Sequence, residues 1–394
     1  MSVTAPLGFR AAGVAAGIKP GRPDLALVAA ERPCAAAGVF TANLAKAAPV
    51  VVSSEHLASG RAQAIVANAG CANAGTGEAG LADAREMAAL AGSAAACPAQ
   101  QVVVASTGVI GVRLPMDKLR VGIACAGERL SGDGGADAAR AILTTDTKPK
   151  EVVAAFSVGG TSCRVGGMAK GAGMIAPNLA TMLAFFTTDA EVAPPLLRRA
   201  LVEAVGDSLN RITVDGDTST NDCAVVLASG ASGARPIQAD GADFDAFRRA
   251  LAEASRSLAL QLVKDGEGVT RIAEVRVEGA RSEVEADRIA RTVAESPLVK
   301  TALHGGDPNW GRVLAAVGRA GVSLDIAKVS VWIGDVHVAE KGAARDYVEA
   351  QAAEAMREDP VRLRIGLGEG RASGFMWTSD FSHGYVDINA HYRS

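Results

Sequence analysis

Residues 166–188 read GGMAKGAGMIAPNLATMLAFFTT, a glycine-rich stretch with one lysine, Lys170, then a proline and an apolar run that opens at Thr181. The glycines relax the backbone and admit close approach of another group, while Pro177 fixes its own φ and biases Ala176 toward extended structure. A loop of that kind can hold a strained peptide bond. If a strand begins at Thr181, its hydroxyl can attack the carbonyl of Ala180, whose methyl side chain leaves that carbonyl accessible. Cleavage would free an α-amino group on Thr181. Such an amine, with an ordinary pKa of about 7.7–8.0, can act as general base for its own hydroxyl without a histidine. The same residues also describe a glycine-proline surface loop leading into a buried strand, and on the chemistry of the segment alone that plainer reading is the commoner one.

Other residues invite chemistry less directly. Ser106-Thr107-Gly108 follows the apolar run 102–105, so the Thr107 hydroxyl and the Gly108 amide belong at a strand end, where both can point into a site or simply make a turn. Thr144 suits a helix cap or turn, and a lone lysine such as Lys170 is ordinarily a solvated charge. Glu267 sits between Gly266 and Gly268, a common turn, although its carboxylate could receive an amino group. Asp215, Asp217 and Asp222 crowd one segment but lack the spacing of an EF-hand and run into an apolar strand. The stretch 305–312, GGDPNWGR, has no Lys-Ser/Thr ending, and Pro308 removes an amide donor, so a structural turn near the site is expected instead of a phosphate loop.

The elements that must position these groups are of mixed type. Apolar runs at 64–66, 102–104 and 225–227 read as strands, and alanine-rich stretches from Leu81 to Cys97 and from Phe244 to Val263 read as helices. Alternation at 272–277 and 329–333 suggests a half-buried antiparallel sheet. A helix is expected over 343–357, followed by a strand-rich end in which 385–394 alternates like a strand to the final residue. At 394 residues the chain suits two domains or one large duplicated architecture, but composition marks no boundary.

Composition narrows the function. Forty basic against forty-three acidic side chains leave a net charge of −3, no footprint for nucleic acid or an anionic membrane, and small-molecule chemistry is the expectation. Cys34, Cys71, Cys97, Cys125, Cys163 and Cys223 form no C-x-x-C and the histidines no H-E-x-x-H, so neither a metal site nor a disulfide framework is expected, and each cysteine reads as a small buried apolar residue. Hydrophobic residues make up 49% of the chain, yet charges interrupt every run before the roughly 18 residues a membrane span needs. The N-terminus lacks a basic start and Gly13 and Gly17 break its small-residue stretch, which makes a poor signal peptide and favours the cytoplasm.

Taken with other segments, the region around Thr181 resembles the ornithine acetyltransferase family, also called bifunctional glutamate N-acetyltransferase. The self-cleavage signature is matched by 170–183, KGAGMIAPNLATML, and further motifs follow in the family's order: GFRAAGVAAGIK at 8–19, STGVIG at 106–111, AILTTDT at 141–147, VDGDTSTND at 214–222, KDGEG at 264–268, SPLVKT at 296–301, GDPNWGR at 306–312 and YVDINAHYRS at 385–394. The resemblance spans essentially the whole chain. One departure is Cys71, where the family more often has another small or polar residue; a difference of packing is expected.

The resemblance implies an α+β fold of the self-processing N-terminal-nucleophile type, with face-packed β-sheets flanked by helices in αββα layers. A cut between Ala180 and Thr181 would leave fragments 1–180 and 181–394, interleaved and paired into an α2β2 assembly. Thr181 would be the nucleophile, the Thr107 hydroxyl and Gly108 amide the oxyanion hole, and Thr144, Lys170, Thr181, Glu267, Asn389 and Ser394 the substrate contacts. The implied reaction passes acetyl from N-acetylornithine to glutamate through Thr181 and needs no diffusible cofactor; some members also take acetyl-CoA as donor. Two rivals remain at this stage. One is a hydrolase of the related self-processing aminopeptidases, against which the threonine and the Lys-Gly-x-Gly-Met loop argue; the other is a non-catalytic binding protein whose glycine loops only shape a pocket.

Overall fold

Long β-branched and alanine-rich runs that bury both faces organise the first of two structural units. A computed structural model describes residues 2–176 and 182–391, so Ala180, Thr181 and Ser394 lie outside the described residues. The first unit comprises Met1–Asn210 with Asp217–Leu262, and the second Arg211–Gly216 with Val263–Ser394.

The first unit is built on β1 (Phe9–Val14), β2 (Leu25–Phe40), β3 (Arg61–Cys71), β4 (Val102–Val109), β5 (Lys150–Val158), β6 (Thr161–Lys170), β7 (Leu183–Thr188) and β9 (Cys223–Ala228). They form one mixed sheet in the order β4-β3-β2-β9-β7-β6-β5, with β1 on β2. Strand periodicity sorts the side chains. Ala26, Val28, Ile65, Ala67, Val103, Ala105 and Met168 enter one buried cluster with Ala138, Ala139 and Ile142. Leu25, Leu27, Ala64, Val66, Val102 and Val104 enter another, with Met87, Leu119 and Ile123. Helices therefore cover both faces: α4 (Gly135–Ala141) the first, α1 (Ala48–His56), α2 (Gly77–Ala94) and α3 (Met116–Glu128) the second. Burying each large aliphatic side chain is worth about 1.5–3 kcal/mol. The ladder of β2 breaks between Ala29 and Cys34, where exposed Glu31, Arg32 and Pro33 intervene, Pro33 having no amide to give to the ladder. Helices α5 (Pro194–Gly206) and α6 (Ala242–Lys264) complete this unit, α6 setting Phe247 against Phe156 of β5 with ring centroids 5.8 Å apart.

The second unit carries β8 (Ile212–Thr213), β10 (Ile272–Ala280), β11 (Ser330–Ile333), β12 (Val336–Glu340), β13 (Ala343–Ala344), β14 (Val361–Gly366) and β15 (Ala372–Ser379), ordered β13-β12-β11-β14-β10-β15-β8. Helix α7 (Glu283–Ala294) begins at Ser282, whose side chain accepts the Glu285 amide, and buries Ala286, Ile289, Ala290 and Val293, a helical stripe facing the sheet. Helices α8 (Pro297–Gly305), α9 (Trp310–Gly318), α10 (Glu349–Ala355) and α11 (His383–Ala390) complete the unit.

The expected α+β class is what the described residues show: two mixed sheets with helices packed on them. The strands at 64–66, 102–104 and 225–227 and the helix at 244–263 fall in β3, β4, β9 and α6, and the helix expected over 81–97 falls in α2 as far as Ala94. Three details differ. The late sheet is not purely antiparallel, because β10 runs parallel to β14 and antiparallel to β15. The helix expected over 343–357 shrinks to α10, preceded by the two residues of β13. The strand expected over 385–394 gives way to α11, in which Asn389 Nδ2 donates to the Tyr385 carbonyl one turn back (3.0 Å); a period-two pattern needs a neighbouring strand to become one, and among the described residues this segment pairs with none. Four cysteines are buried and Cys97 and Cys125 half-buried. Cys71 joins the apolar cluster beneath α2 and α3. No helix among the described residues is long and apolar enough to cross a membrane.

Candidate active site

Alternation along β4 puts Thr107 on the face of Val103 and Ala105, and alternation along β6 puts Lys170 on the face of Met168, the same side of the sheet. On that side α4 packs and then delivers the turn Leu143–Asp146. The strand runs past the expected end at Gly108 to Val109, but its ladder with β3 is irregular there, Gly70 and Cys71 facing Thr107, Gly108 and Val109. Gly108 has φ +131°, and a Cβ on it would lie 2.3 Å from the Gly70 carbonyl carbon, so only glycine fits.

The Lys170 ammonium lies between two of the expected site residues. It donates to Thr144 Oγ1 at 2.8 Å and to Thr107 Oγ1 at 3.3 Å, and its side chain is only 4% exposed. Such a buried charge requires a counter-charge. Asp146 supplies it from 3.8 Å, its own carboxylate fully buried and also 2.5 Å from the ammonium of the equally buried Lys150. The Gly171 and Thr144 amides donate to the same carboxylate at 2.7 and 3.0 Å. Burial by itself would raise the Asp146 pKa, but the Lys170 and Lys150 ammoniums outweigh it and hold the carboxyl well below the usual range. Lys19 approaches from the chain's start, donating to the Leu143 carbonyl at 2.7 Å; burial lowers its pKa, Lys170 adding to the effect and Asp24 opposing it.

A second buried network lies where β7 and β9 begin. Asn221 Nδ2 donates to the Ala72 carbonyl (2.6 Å) and to the Ser106 carbonyl (2.9 Å). Ser106 Oγ in turn donates to Asn68 Oδ1 at 2.6 Å. The next residue, Asp222, accepts the Met182 amide on Oδ1 at 2.8 Å, while its Oδ2 is buried with no hydrogen-bond partner among the described residues. Burial pushes this carboxyl well above the ordinary range, against the opposing pull of the Met182 amide and Ser219. Of the aspartates weighed as a metal group, Asp222 is thus held by the Met182 amide, while Asp215 accepts the Tyr385 hydroxyl in the second unit at 3.3 Å.

In the second unit Glu267 and Asn389 meet. Asn389 Nδ2 donates to Glu267 Oε2 at 2.8 Å. Gly268 makes that contact available: a Cβ there would lie 2.3 Å from the Tyr385 amide nitrogen, and Ser382 Oγ donates to the Gly268 carbonyl at 2.5 Å. Lys300, 1% exposed, secures the approach to α11 by donating to Thr378 Oγ1 (3.0 Å), to Ser379 Oγ (3.1 Å) and to the Ser379 carbonyl. The turn at 306–312 is structural in its contacts: Asn309 caps α9, and Arg312 donates to the Leu298 carbonyl at 3.0 Å.

The ArgJ family model matches residues 10–394. The chain belongs to the ArgJ family. It is 50% identical over 395 residues to the arginine biosynthesis bifunctional protein ArgJ of Symbiobacterium thermophilum, covering 100% of this chain and 98% of that protein. The protein of the same description from Methylococcus capsulatus is 48% identical over 390 residues, covering 98% of this chain and 95% of the relative. Among solved structures, the arginine biosynthesis bifunctional protein ArgJ of Bacillus halodurans matches with a TM-score of 0.52 and 39% identity, over 53% of this chain and 99% of that one.

For this ArgJ-family chain the structure brings Thr107, Thr144 and Lys170 together beside Gly108, and separately joins Glu267 to Asn389. Thr181, Ala180 and Ser394 are outside the described residues. Asp146, Lys150, Lys19, Asn221 and Asp222 were not singled out as site residues from sequence, although all but Lys150 fall inside the motifs that carry the resemblance.

Proposed function

We propose that this protein is an arginine-biosynthesis acetyltransferase that cuts itself between Ala180 and Thr181 and carries acetyl from N-acetylornithine to glutamate on Thr181. The coarse assignment, an enzyme of arginine biosynthesis, rests on ArgJ family membership across the chain. The observation that best supports the finer one is the buried Lys170 ammonium poised between Thr107 and Thr144, at the end of the strand that leads toward Thr181.

In this mechanism the Thr181 hydroxyl attacks the acetyl carbonyl, its proton passing to the freed α-amine of the same residue. The Thr107 hydroxyl and Gly108 amide stabilise the oxyanion, a contribution worth about 10²- to 10³-fold per donor. The amide bond breaks, ornithine leaves with the proton, and the amine of glutamate attacks the acetyl-Thr181 ester in the reverse sequence. Lys170 receives the substrate carboxylate and Glu267 an amino group; Thr144, Asn389 and Ser394 are further substrate contacts. Asp146 holds the Lys170 ammonium in place. Expected fragments 1–180 and 181–394 both supply strands to the first unit's sheet, β6 pairing with β7, which supports a cut enzyme whose fragments stay assembled. The proposed species is α2β2, cytoplasmic and in need of no diffusible cofactor.

Initial rates with both substrates varied test the cycle. An acetyl group waiting on Thr181 between half-reactions gives parallel double-reciprocal lines; intersecting lines would require a ternary complex and end this reading. Acetate release without glutamate would instead favour the hydrolase. The relatives' description as bifunctional supports acetyl-CoA as a second donor, which glutamate-dependent release of free CoA would reveal.

A further inference from the structure

The mechanism above leaves unused a fully buried carboxylic acid, Asp222, and the buried amide beside it, Asn221. Their partners share a pattern. Asn221 holds the Ser106 carbonyl, the peptide immediately before Thr107 and Gly108. Asp222 holds the Met182 amide, the peptide immediately after Thr181. Two consecutive side chains thus grip the backbone on which the oxyanion donors sit and the backbone on which the nucleophile sits. The grip has its own anchorage: Asn221 also holds the Ala72 carbonyl, its amide donates to Ser219 Oγ at 3.0 Å, the Asp222 carbonyl accepts the Thr41 amide at 3.0 Å, and the Cys223 amide donates to the Met182 carbonyl at 3.2 Å.

We propose that Asn221 and Asp222 are positioning residues that register the start of β7, which follows Thr181 in the chain, against Thr107 and Gly108 on β4, so that self-cleavage and acetyl transfer both depend on them. The inference rests on Thr181 being the nucleophile. β7 and β9 pair in parallel while β4 lies at an edge of the sheet, separated from β9 by β2 and β3; the sheet ladder therefore contains no direct bond between β7, which follows Thr181 in the chain, and β4, which carries Thr107. The Asn221–Asp222 pair is a short backbone-holding connection between them, beside the side-chain contact of Lys170 with Thr107. Displacement of a reacting group by about 1 Å costs on the order of 10²-fold in rate, which sets the size of effect expected when this connection is removed.

Asp222 does this as a hydrogen-bond acceptor on Oδ1, a role that needs an acceptor oxygen and no charge. Asparagine has the same shape and also presents one acceptor to Met182 and a donor where Oδ2 stands, so Asp222→Asn preserves the grip and Asp222→Ala removes it. The test is a cell-free synthesis time course of the full chain on a denaturing gel, with melting of each variant followed by circular dichroism. Asp222→Ala is expected to cut about 10²-fold more slowly than wild type, and Asp222→Asn within about tenfold of it. In the chains that have cut, kcat per acetylated Thr181 should fall in Asp222→Ala with KM little changed, whereas a residue needed only for folding would reduce the number of acetylated sites and leave kcat per site alone. Equal cutting by wild type and Asp222→Ala overturns the proposal, as does a folded Asp222→Asn that cuts no faster than about 10²-fold below wild type; the second result decides the matter even if Asp222→Ala fails to fold. A wild type that never cuts at Ala180–Thr181 would instead overturn the assignment of Thr181.

Discussion

Replacing Asp146 with asparagine tests how the Lys170 ammonium is kept in the interior. The substitution keeps size and removes one negative charge from a site where two ammoniums stand 2.5 and 3.8 Å away and two backbone amides donate. At an effective dielectric of about 20, attraction at those separations is roughly 4–7 kcal/mol apiece, most of it offset by desolvation. What remains, by the measured class of buried pairs broken on one side, is about 3–5 kcal/mol, a large part of the roughly 5–15 kcal/mol that holds a domain folded. Urea unfolding followed by circular dichroism, in a Thr181→Ala background so that every sample is one chain, reads this directly. The pH dependence fixes the cause. Because the Asp146 carboxyl is held below its unfolded value, its contribution is fully present above about pH 4 and is lost as pH falls through the folded pKa, so the gap between wild type and variant should close in acid. Adding Lys150→Met to Asp146→Asn should recover about 1–3 kcal/mol, since the residues are directly coupled. A single variant costing under about 1 kcal/mol, or a gap that does not change below pH 4, would refute the reasoning.

Other substitutions separate the roles of the remaining groups. Thr107→Ala should lower kcat by about 10²- to 10³-fold and barely change KM, because an oxyanion donor acts on charge that develops in the transition state; a pure rise in KM would remove Thr107 from that role. Asn389→Ala should raise KM for N-acetylornithine and glutamate together, roughly 10-fold for one lost hydrogen bond to a charged group, with self-cleavage intact on a gel; a change for one substrate alone would contradict a shared pocket. Burial lowers the Lys300 pKa to about 7 against the opposing pull of Asp380, Asp215 and Glu295, so the unfolded chain binds the extra proton between about pH 7 and 10 and stability rises with pH across that window. Lys300→Met should flatten that rise in a denaturation series, and an unchanged slope would assign it to another group.

Much of the sheet was readable because β-branched runs such as Val102–Val104 and Val225–Leu227 are too short and too apolar to be anything but buried strands. The partner of each strand was not readable, which is why β10 proved parallel to one neighbour and antiparallel to the other. Nor was α11, whose sequence alternates over too few residues to choose a period without knowing what lies beside it. Lys170, Thr107 and Thr144 could be nominated through their motifs, and their convergence then follows from side-chain parity on β4 and β6 and from the turn after α4. Lys150 had no such signal: 148–150 reads Lys-Pro-Lys, a pattern ordinarily solvated, and the Asp146 carboxylate four residues earlier is what pairs with its buried ammonium. Asn221 and Asp222 were legible as a motif but resembled part of an acidic cluster, because the backbone groups they hold, at Ser106 and Met182, are distant in sequence.

The claim on which everything else depends is that Thr181 becomes a chain terminus and then an acetyl carrier. N-terminal sequencing and intact mass of the purified protein, before and after brief exposure to N-acetylornithine, measure both. Two chains are expected, one ending at Ala180 and one beginning at Thr181, with the second gaining the mass of one acetyl group on Thr181, and a Thr181→Ala variant that stays a single chain of about 39.9 kDa. A wild-type chain that remains intact, a new terminus elsewhere, or acetyl found on any residue other than Thr181 would contradict it.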